Sequence, residues 1–226
     1  MFPFLDLVFP KRCVSCSRFG SYICKECFPK IEFIEKPICP ICQRQAISGK
    51  THPRCVSKFH LDGLAVACKY KGTIKLAIKK VKYKWVYDIE KVLVDLLASQ
   101  IWKFDFPPNS ILVPIPLHKK RKNWRGFNQA EILAKTLSKK FNVSYSDSLI
   151  RIIETKTQVG LTREERKKNV GGAFAFNKKV AKKYIEGRNF ILVDDVYTSG
   201  ATMMEAAKVL KRSGAKNVWA VAIALG

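Results

Sequence analysis

Seven of the chain's eight cysteines precede Ser57, and six of these form three Cys-x-x-Cys pairs. The pairs are Cys13-Val-Ser-Cys16, Cys24-Lys-Glu-Cys27 and Cys39-Pro-Ile-Cys42, and His52-Pro-Arg-Cys55 follows at the same spacing. Two intervening residues let a tight turn aim both side chains at one ion, and zinc takes four nitrogen or sulfur ligands in a closed structural site. Eight ligands therefore suffice for two structural zinc ions. Sequential pairing is the simplest arrangement, with Cys13, Cys16, Cys24 and Cys27 on one ion and Cys39, Cys42, His52 and Cys55 on the other. An interleaved cross-brace is the alternative, and His60 is the alternative to His52. Paired cysteines of this kind point to metal rather than disulfides. The segment is too short to bury a core of its own, so metal binding has to supply its folding free energy. Cys68 stands apart and is expected as a buried apolar residue in a strand. With no ligand position left open, the chemistry must lie elsewhere.

The whole chain has 226 residues, enough for one sizeable core plus a small extra module. The expected division is a zinc-binding module over 1–58 and a main domain over 59–226. The apolar opening, residues 1–10, is interrupted by Asp6 and has no basic stretch before it, which makes a poor signal peptide. No other run approaches the roughly 20 apolar residues of a membrane span. A cytoplasmic protein is the expectation. The 42 Lys and Arg against 18 Asp and Glu leave a formal charge of +24, whose field favours a polyanionic or phosphorylated partner. The excess is also spread along the chain, as a solvated surface would have it.

After Ser57 the pattern alternates between strand and helix. Residues 61–70 read as a strand, and 73–84 carry Ile74, Ile78 and Val81 at helical spacing. Residues 88–102 continue with Ile89, Val92, Leu93, Leu96 and Leu97 on one face. A buried strand is expected over 111–115 and a helix over 128–141, joined by a basic loop at Lys119-Lys120-Arg121-Lys122 and Arg125. Strand 190–193, helix 202–212 and strand 218–224 complete an α/β domain with a largely parallel sheet.

Ile191-Leu192-Val193-Asp194-Asp195-Val196-Tyr197-Thr198-Ser199-Gly200-Ala201-Thr202 is the stretch richest in chemistry. An apolar strand ends in two carboxylates, a small hydroxyl-bearing turn follows, and a helix begins. Ligands of open α/β sheets bind at the carboxyl ends of strands. A helix start offers unpaired N–H groups and a positive dipole end to a phosphate. Gly200 and Ala201 keep the turn uncrowded, Thr198, Ser199 and Thr202 add hydroxyl donors, and Asp194 and Asp195 suit sugar hydroxyls beside the phosphate. The layout fits a 5-phosphorylated ribose. Thr202-Met-Met-Glu205 also matches a capping box, the plain structural alternative. That alternative leaves two adjacent carboxylates at the end of a buried strand unexplained.

These residues resemble the ribose-phosphate fingerprint of type I phosphoribosyltransferases, which bind phosphoribosyl pyrophosphate with magnesium. Val113-Pro-Ile-Pro116, Arg125-Gly-Phe-Asn-Gln129, Gln158-Val-Gly-Leu-Thr162, Arg166-Lys-Lys-Asn169 and Gly172-Ala-Phe174 narrow the resemblance to the ComF family of competence-associated proteins, which also carries cysteine pairs ahead of such a domain. The resemblance implies a phosphoribosyltransferase-like fold. It assigns Asp194 and Asp195 to the ribose hydroxyls, Thr198 to Thr202 to the 5-phosphate, and the turn after Pro116 to the pyrophosphate side. Arg125, Arg163 and Arg166 are suited to phosphate oxygens as multi-donor cations, with the family pattern favouring Arg125 and Arg166. Asn128 and Gln129 are read as ligand contacts or helix caps, and 146–172 as a hood over the site.

Two functions follow as expectations. The first is a phosphoribosyl-binding protein of the DNA-uptake or natural-transformation machinery that also binds single-stranded DNA. Basic segments 69–84 and 119–125, with Tyr70, Tyr83, Trp85 and Trp124 as stacking residues, would serve that role. The second is an active phosphoribosyltransferase on an unidentified base or amine. Some purine-using relatives place an acidic base where this chain has Thr198, which is no base at neutral pH.

Overall fold

The computed structural model of the chain describes residues 10–81, 88–155 and 162–226. Tyr83, Trp85 and most of the 158–162 motif lie outside these residues, and the side chain of Arg163 is likewise outside the description.

The main sheet has four strands, β1 (Gly63–Lys69), β2 (Ser110–Pro114), β5 (Asn189–Tyr197) and β6 (Asn217–Leu225), in the order β1-β6-β5-β2 with every pairing parallel. Parallel strands need crossovers, and helices provide them. One face is covered by α1 (Gly72–Lys80), α2 (Ile89–Ala98) and α4 (Gln129–Phe141), the other by α6 (Ala201–Arg212). Burial on both faces explains why β5 and β6 read as continuous apolar runs rather than alternating ones. Gly63 allows Trp219 to lie across the start of β1, since a Cβ there would enter the indole ring. Cys68 is fully buried in β1, where burial pushes its thiol up to about 12.

Both outer strands have further backbone against them. Ile34 donates its N–H to the Ala67 carbonyl, and Lys69 donates to that of Glu32, so residues 32–34 run beside β1. A parallel bridge from Leu112 to Tyr145 does the same for β2.

The region 146–172 contains an antiparallel pair, β3 (Leu149–Arg151) with β4 (Phe174–Phe176), and α5 (Arg163–Val170). Thr162 and Glu165 cap α5 reciprocally as a capping box. The expected basic loop is instead a short helix, α3 (Lys119–Arg125), ended by Gly126 at φ 80°. Lys and Arg are good helix formers, and glycine in the left-handed region stops the turn. The segment has no apolar stripe, so periodicity does not reveal it.

Candidate functional site: a basic cleft at the carboxyl end of the sheet

Asp194 and Asp195, in the carboxyl-terminal half of β5, line a cleft of about 630 Å³. Thr198, Gly200, Ala201 and Thr202 line the same cleft from the following loop and the first turn of α6. Ser199 lines a neighbouring hollow of about 410 Å³ together with Pro40 and Ile41. Gly200 is the N-cap of α6 at φ 76°, a conformation glycine adopts without strain. The first turn of α6 directs its N–H groups to the loop, where the Ala201 N–H lies 3.5 Å from Ser199 Oγ, and a helix start of this kind suits an anion. The capping-box alternative does not hold at Thr202, because Glu205 accepts from the Gly172 N–H at 3.0 Å instead.

The same cleft is lined by Arg121 and Arg125 of α3, Arg151 of β3, Arg166 of α5, and Lys75 and Lys79 of α1. Six cations thus share the cleft with two carboxylates. Arg125 and Arg166 were readable from sequence as candidates. Arg121 and Arg151 were not, since one sits inside a run of basic residues and the other in a three-residue strand. Asn128 is only 5% exposed and works as structure: its amide donates to the Ile115 carbonyl at 3.0 Å, and its Oδ1 accepts from the Ala130 N–H at 3.2 Å. It caps α4 and ties the helix to the end of β2. Gln129 accepts from Arg125 at 2.9 Å and lines the cleft.

The electrostatics of the cleft are unbalanced. Desolvation, then the adjacent Asp195 charge, pushes the Asp194 carboxyl well above the usual carboxylate range. The Asp195 N–H bonded to Asp194 Oδ1 at 2.9 Å and the Arg151 charge offset this only in part. Burial, then the like charge of Arg121, holds both Arg151 and Arg125 below the usual guanidinium value. Gln129 Nε2, Arg151 Nε and Arg166 Nε are buried without a hydrogen-bond partner among the described residues. An unmet buried donor costs about 1–3 kcal/mol, and more when the group is charged. All three residues line the cleft.

The cysteine segment forms two groups of donors, Cys13, Cys16, Cys24 and Cys27, and Cys39, Cys42, His52 and Cys55. Within each group the ligand atoms lie within 4.8 Å of one another. The sequential grouping is the one adopted. The His52 Nε2–H donates to the Gln45 carbonyl at 2.8 Å, which leaves Nδ1, 3.3 Å from Cys42 Sγ, bare toward the group's centre. A backbone acceptor fixing the tautomer is the usual support of a metal-bound imidazole. His60 lies outside the group, with Nδ1 3.2 Å from the Cys55 carbonyl. Both groups fit a closed, structural zinc ion in ligand type, number and spacing. No helix among the described residues is long and apolar enough to cross a membrane.

Comparison with known proteins agrees with both halves. The family model of the double zinc ribbon domain matches residues 4–56, and that of the phosphoribosyl transferase domain matches 127–225. Competence protein F of Haemophilus influenzae is 26% identical over 228 residues, covering 90% of this chain and 98% of its own. Competence protein ComFC of Bacillus subtilis is 29% identical over 199 residues, 85% of this chain and 79% of its own. DNA utilization protein YhgH of Escherichia coli is 30% identical over 205 residues, 87% of each chain. A double zinc ribbon ahead of a phosphoribosyltransferase-like α/β domain, with relatives of this kind along most of its length, makes the chain a member of the ComF family.

Proposed function

We propose that the cleft binds phosphoribosyl pyrophosphate, or a related phosphoribosyl ligand, with magnesium accompanying the ligand's phosphates. The carrying observation is the set of buried donors on Gln129, Arg151 and Arg166 that have no partner among the described residues, in a cleft lined by six cations and two carboxylates. Asp194 and Asp195 take the ribose hydroxyls, and Thr198, Ser199, Gly200, Ala201 and Thr202 the 5-phosphate. Arg125 and Arg166, with Arg121 and Arg151, take the remaining phosphates. Structural zinc occupies both cysteine groups, in a module spanning 1–58 ahead of the binding domain at 59–226. An active phosphoribosyltransferase acting on a base or amine is the alternative reading. Thr198 supplies no general base, so binding is put before turnover.

Calorimetric titration of phosphoribosyl pyrophosphate with magnesium checks this. Saturable binding is expected in the wild-type chain. It should weaken roughly tenfold or more in Arg151→Ala, since hydrogen bonds to charged groups contribute about 1.5–3 kcal/mol. No saturable heat with the wild-type chain up to millimolar ligand sinks the reading.

The names of the relatives, together with α3, support a second activity: contact with single-stranded DNA in a cytoplasmic step of DNA uptake, alongside the competence machinery. Trp124 is 82% exposed on a helix whose other residues are mostly basic, and Arg121 and Arg125 of that helix already face the cleft. Part of this charge is paired, Lys120 with Glu154 at 3.0 Å and Lys122 with Glu131 at 2.9 Å. Stacking of a base on an aromatic ring contributes about 1–3 kcal/mol. Trp124→Ala should therefore weaken binding of an oligothymidine roughly fivefold to a hundredfold without changing the melting temperature. Removing the Lys119 charge should lower the salt slope by about 0.7 if it meets one phosphate. Absence of binding at low salt ends this second reading.

A further inference from the structure

The turn between Cys39 and Cys42 reaches into the back of the proposed phosphate loop. Tyr197, 1% exposed, donates its hydroxyl to the Pro40 carbonyl at 2.8 Å. One residue on, the Gln43 side-chain amide donates to the Thr198 carbonyl at 3.1 Å. Gly200 lies directly over the Tyr197 hydroxyl, with no room for a Cβ between them. The loop is thus held at two consecutive residues from a segment about 155 positions away in sequence.

The holding atoms have a defined position only if the turn does. Pro40 lies between two ligands of the second cysteine group, and Gln43 follows Cys42 directly. The turn closes through the Gln43 N–H to the Cys39 carbonyl and the Cys39 N–H to that of Arg44, each at 2.9 Å. Ligand groups of this kind are organised by their ion, because without it the thiolates repel and the short segment has little core of its own. The first cysteine group is placed differently. It packs on Ile23, which with Val14 leans on the sheet face covered by α1 and α2.

We propose that Gln43 and Tyr197 are positioning residues through which an ion in the Cys39, Cys42, His52 and Cys55 group sets the phosphate loop for its ligand. Resting on the ribose-phosphate reading of that loop, this makes the second metal site part of the ligand site energetically. Coupling is reciprocal, so metal favours ligand and ligand favours metal by the same factor.

Gln43→Asn is the appropriate variant. Gln43 has φ 58°, which asparagine tolerates better than most residues, and the shorter amide no longer reaches Thr198. Three measurements on the full, zinc-loaded chain decide the matter. Ribose 5-phosphate should bind roughly threefold to tenfold more weakly to Gln43→Asn than to the wild type, as expected for one lost hydrogen bond. Without any ligand, amide exchange in residues 198–202 should be faster in the variant. Ribose 5-phosphate should slow the release of one of the two zinc ions to a chelator, and Gln43→Asn should remove that protection. A purely local role for Gln43 would leave the zinc-release rate indifferent to ligand. Failure of the wild type to bind ribose 5-phosphate defeats the ribose-phosphate reading, while the ligand-free exchange still reads the clamp. Equal binding by variant and wild type, or unchanged exchange, overturns the coupling.

Discussion

Gly200→Ala is expected to abolish ribose-phosphate binding and to cost the fold roughly 2–5 kcal/mol, through a left-handed backbone penalty of about 1–2 and a disrupted buried hydrogen bond of about 1–3. The residue sits at φ 76°, and an added Cβ would overlap the Tyr197 hydroxyl. Tyr197 has nowhere to move without releasing the Pro40 carbonyl, which is itself buried. The loop and the zinc-ribbon turn would be displaced together. Chemical denaturation should show a lower midpoint with an unchanged slope, and titration of ribose 5-phosphate should show no saturation. A variant with the wild-type midpoint would contradict the packing described for this loop.

Asp194→Asn should do the opposite to stability while also removing affinity. The folded protein raises the Asp194 pKa, by desolvation first and by Asp195 second. A raised folded pKa means that the native state holds its proton over a range where the unfolded chain has lost it. Stability contributed by this group is complete below the unfolded value of about 3.9 and falls as pH rises through the folded value. Asparagine does not titrate, so the variant should match the wild type in acid and exceed it increasingly toward neutral pH. Each kcal/mol relieved corresponds to about 2–4 °C in melting temperature for a chain of this size. Affinity for ribose 5-phosphate should fall roughly threefold to tenfold, since one carboxyl oxygen that can accept from a ribose hydroxyl is replaced by an amide donor. Thermal scans across pH decide the first half, and a variant melting below the wild type at neutral pH would refute it.

The strands and helices of the sheet layer were legible because burial leaves a pattern. Ile111, Leu112 and Val113, or Phe190 through Val193, are apolar on both sides because helices cover both faces. The strand expected over 190–193 runs four residues further, because Asp194 pairs with Ala222 and the ladder continues to Tyr197 past the charges that suggest its end, whereas the strand expected over 61–70 is shorter, Gly63–Lys69. The metal ligands were legible for a different reason: coordination fixes residue type and spacing locally. Arg121 and Arg151 were illegible because their role depends on which way a short helix and a three-residue strand face, and no local pattern encodes that. The contacts of Pro40 with Tyr197 and of Gln43 with Thr198 were illegible for the same reason at greater range.

The strip of chain at 32–34 beside β1 bears on how the protein behaves when shortened. A chain begun at residue 59 would keep the strands of the sheet but lose the hold of Pro40 and Gln43 on the phosphate loop, and it would present β1 as an open ladder of seven residues, six of them buried here. Flat apolar edges of that sort recruit strands from other molecules. The cysteine-rich segment therefore also covers an edge at which copies could join sheet to sheet, and a trimmed domain is expected to be less soluble for that exposure rather than for a misfolded core.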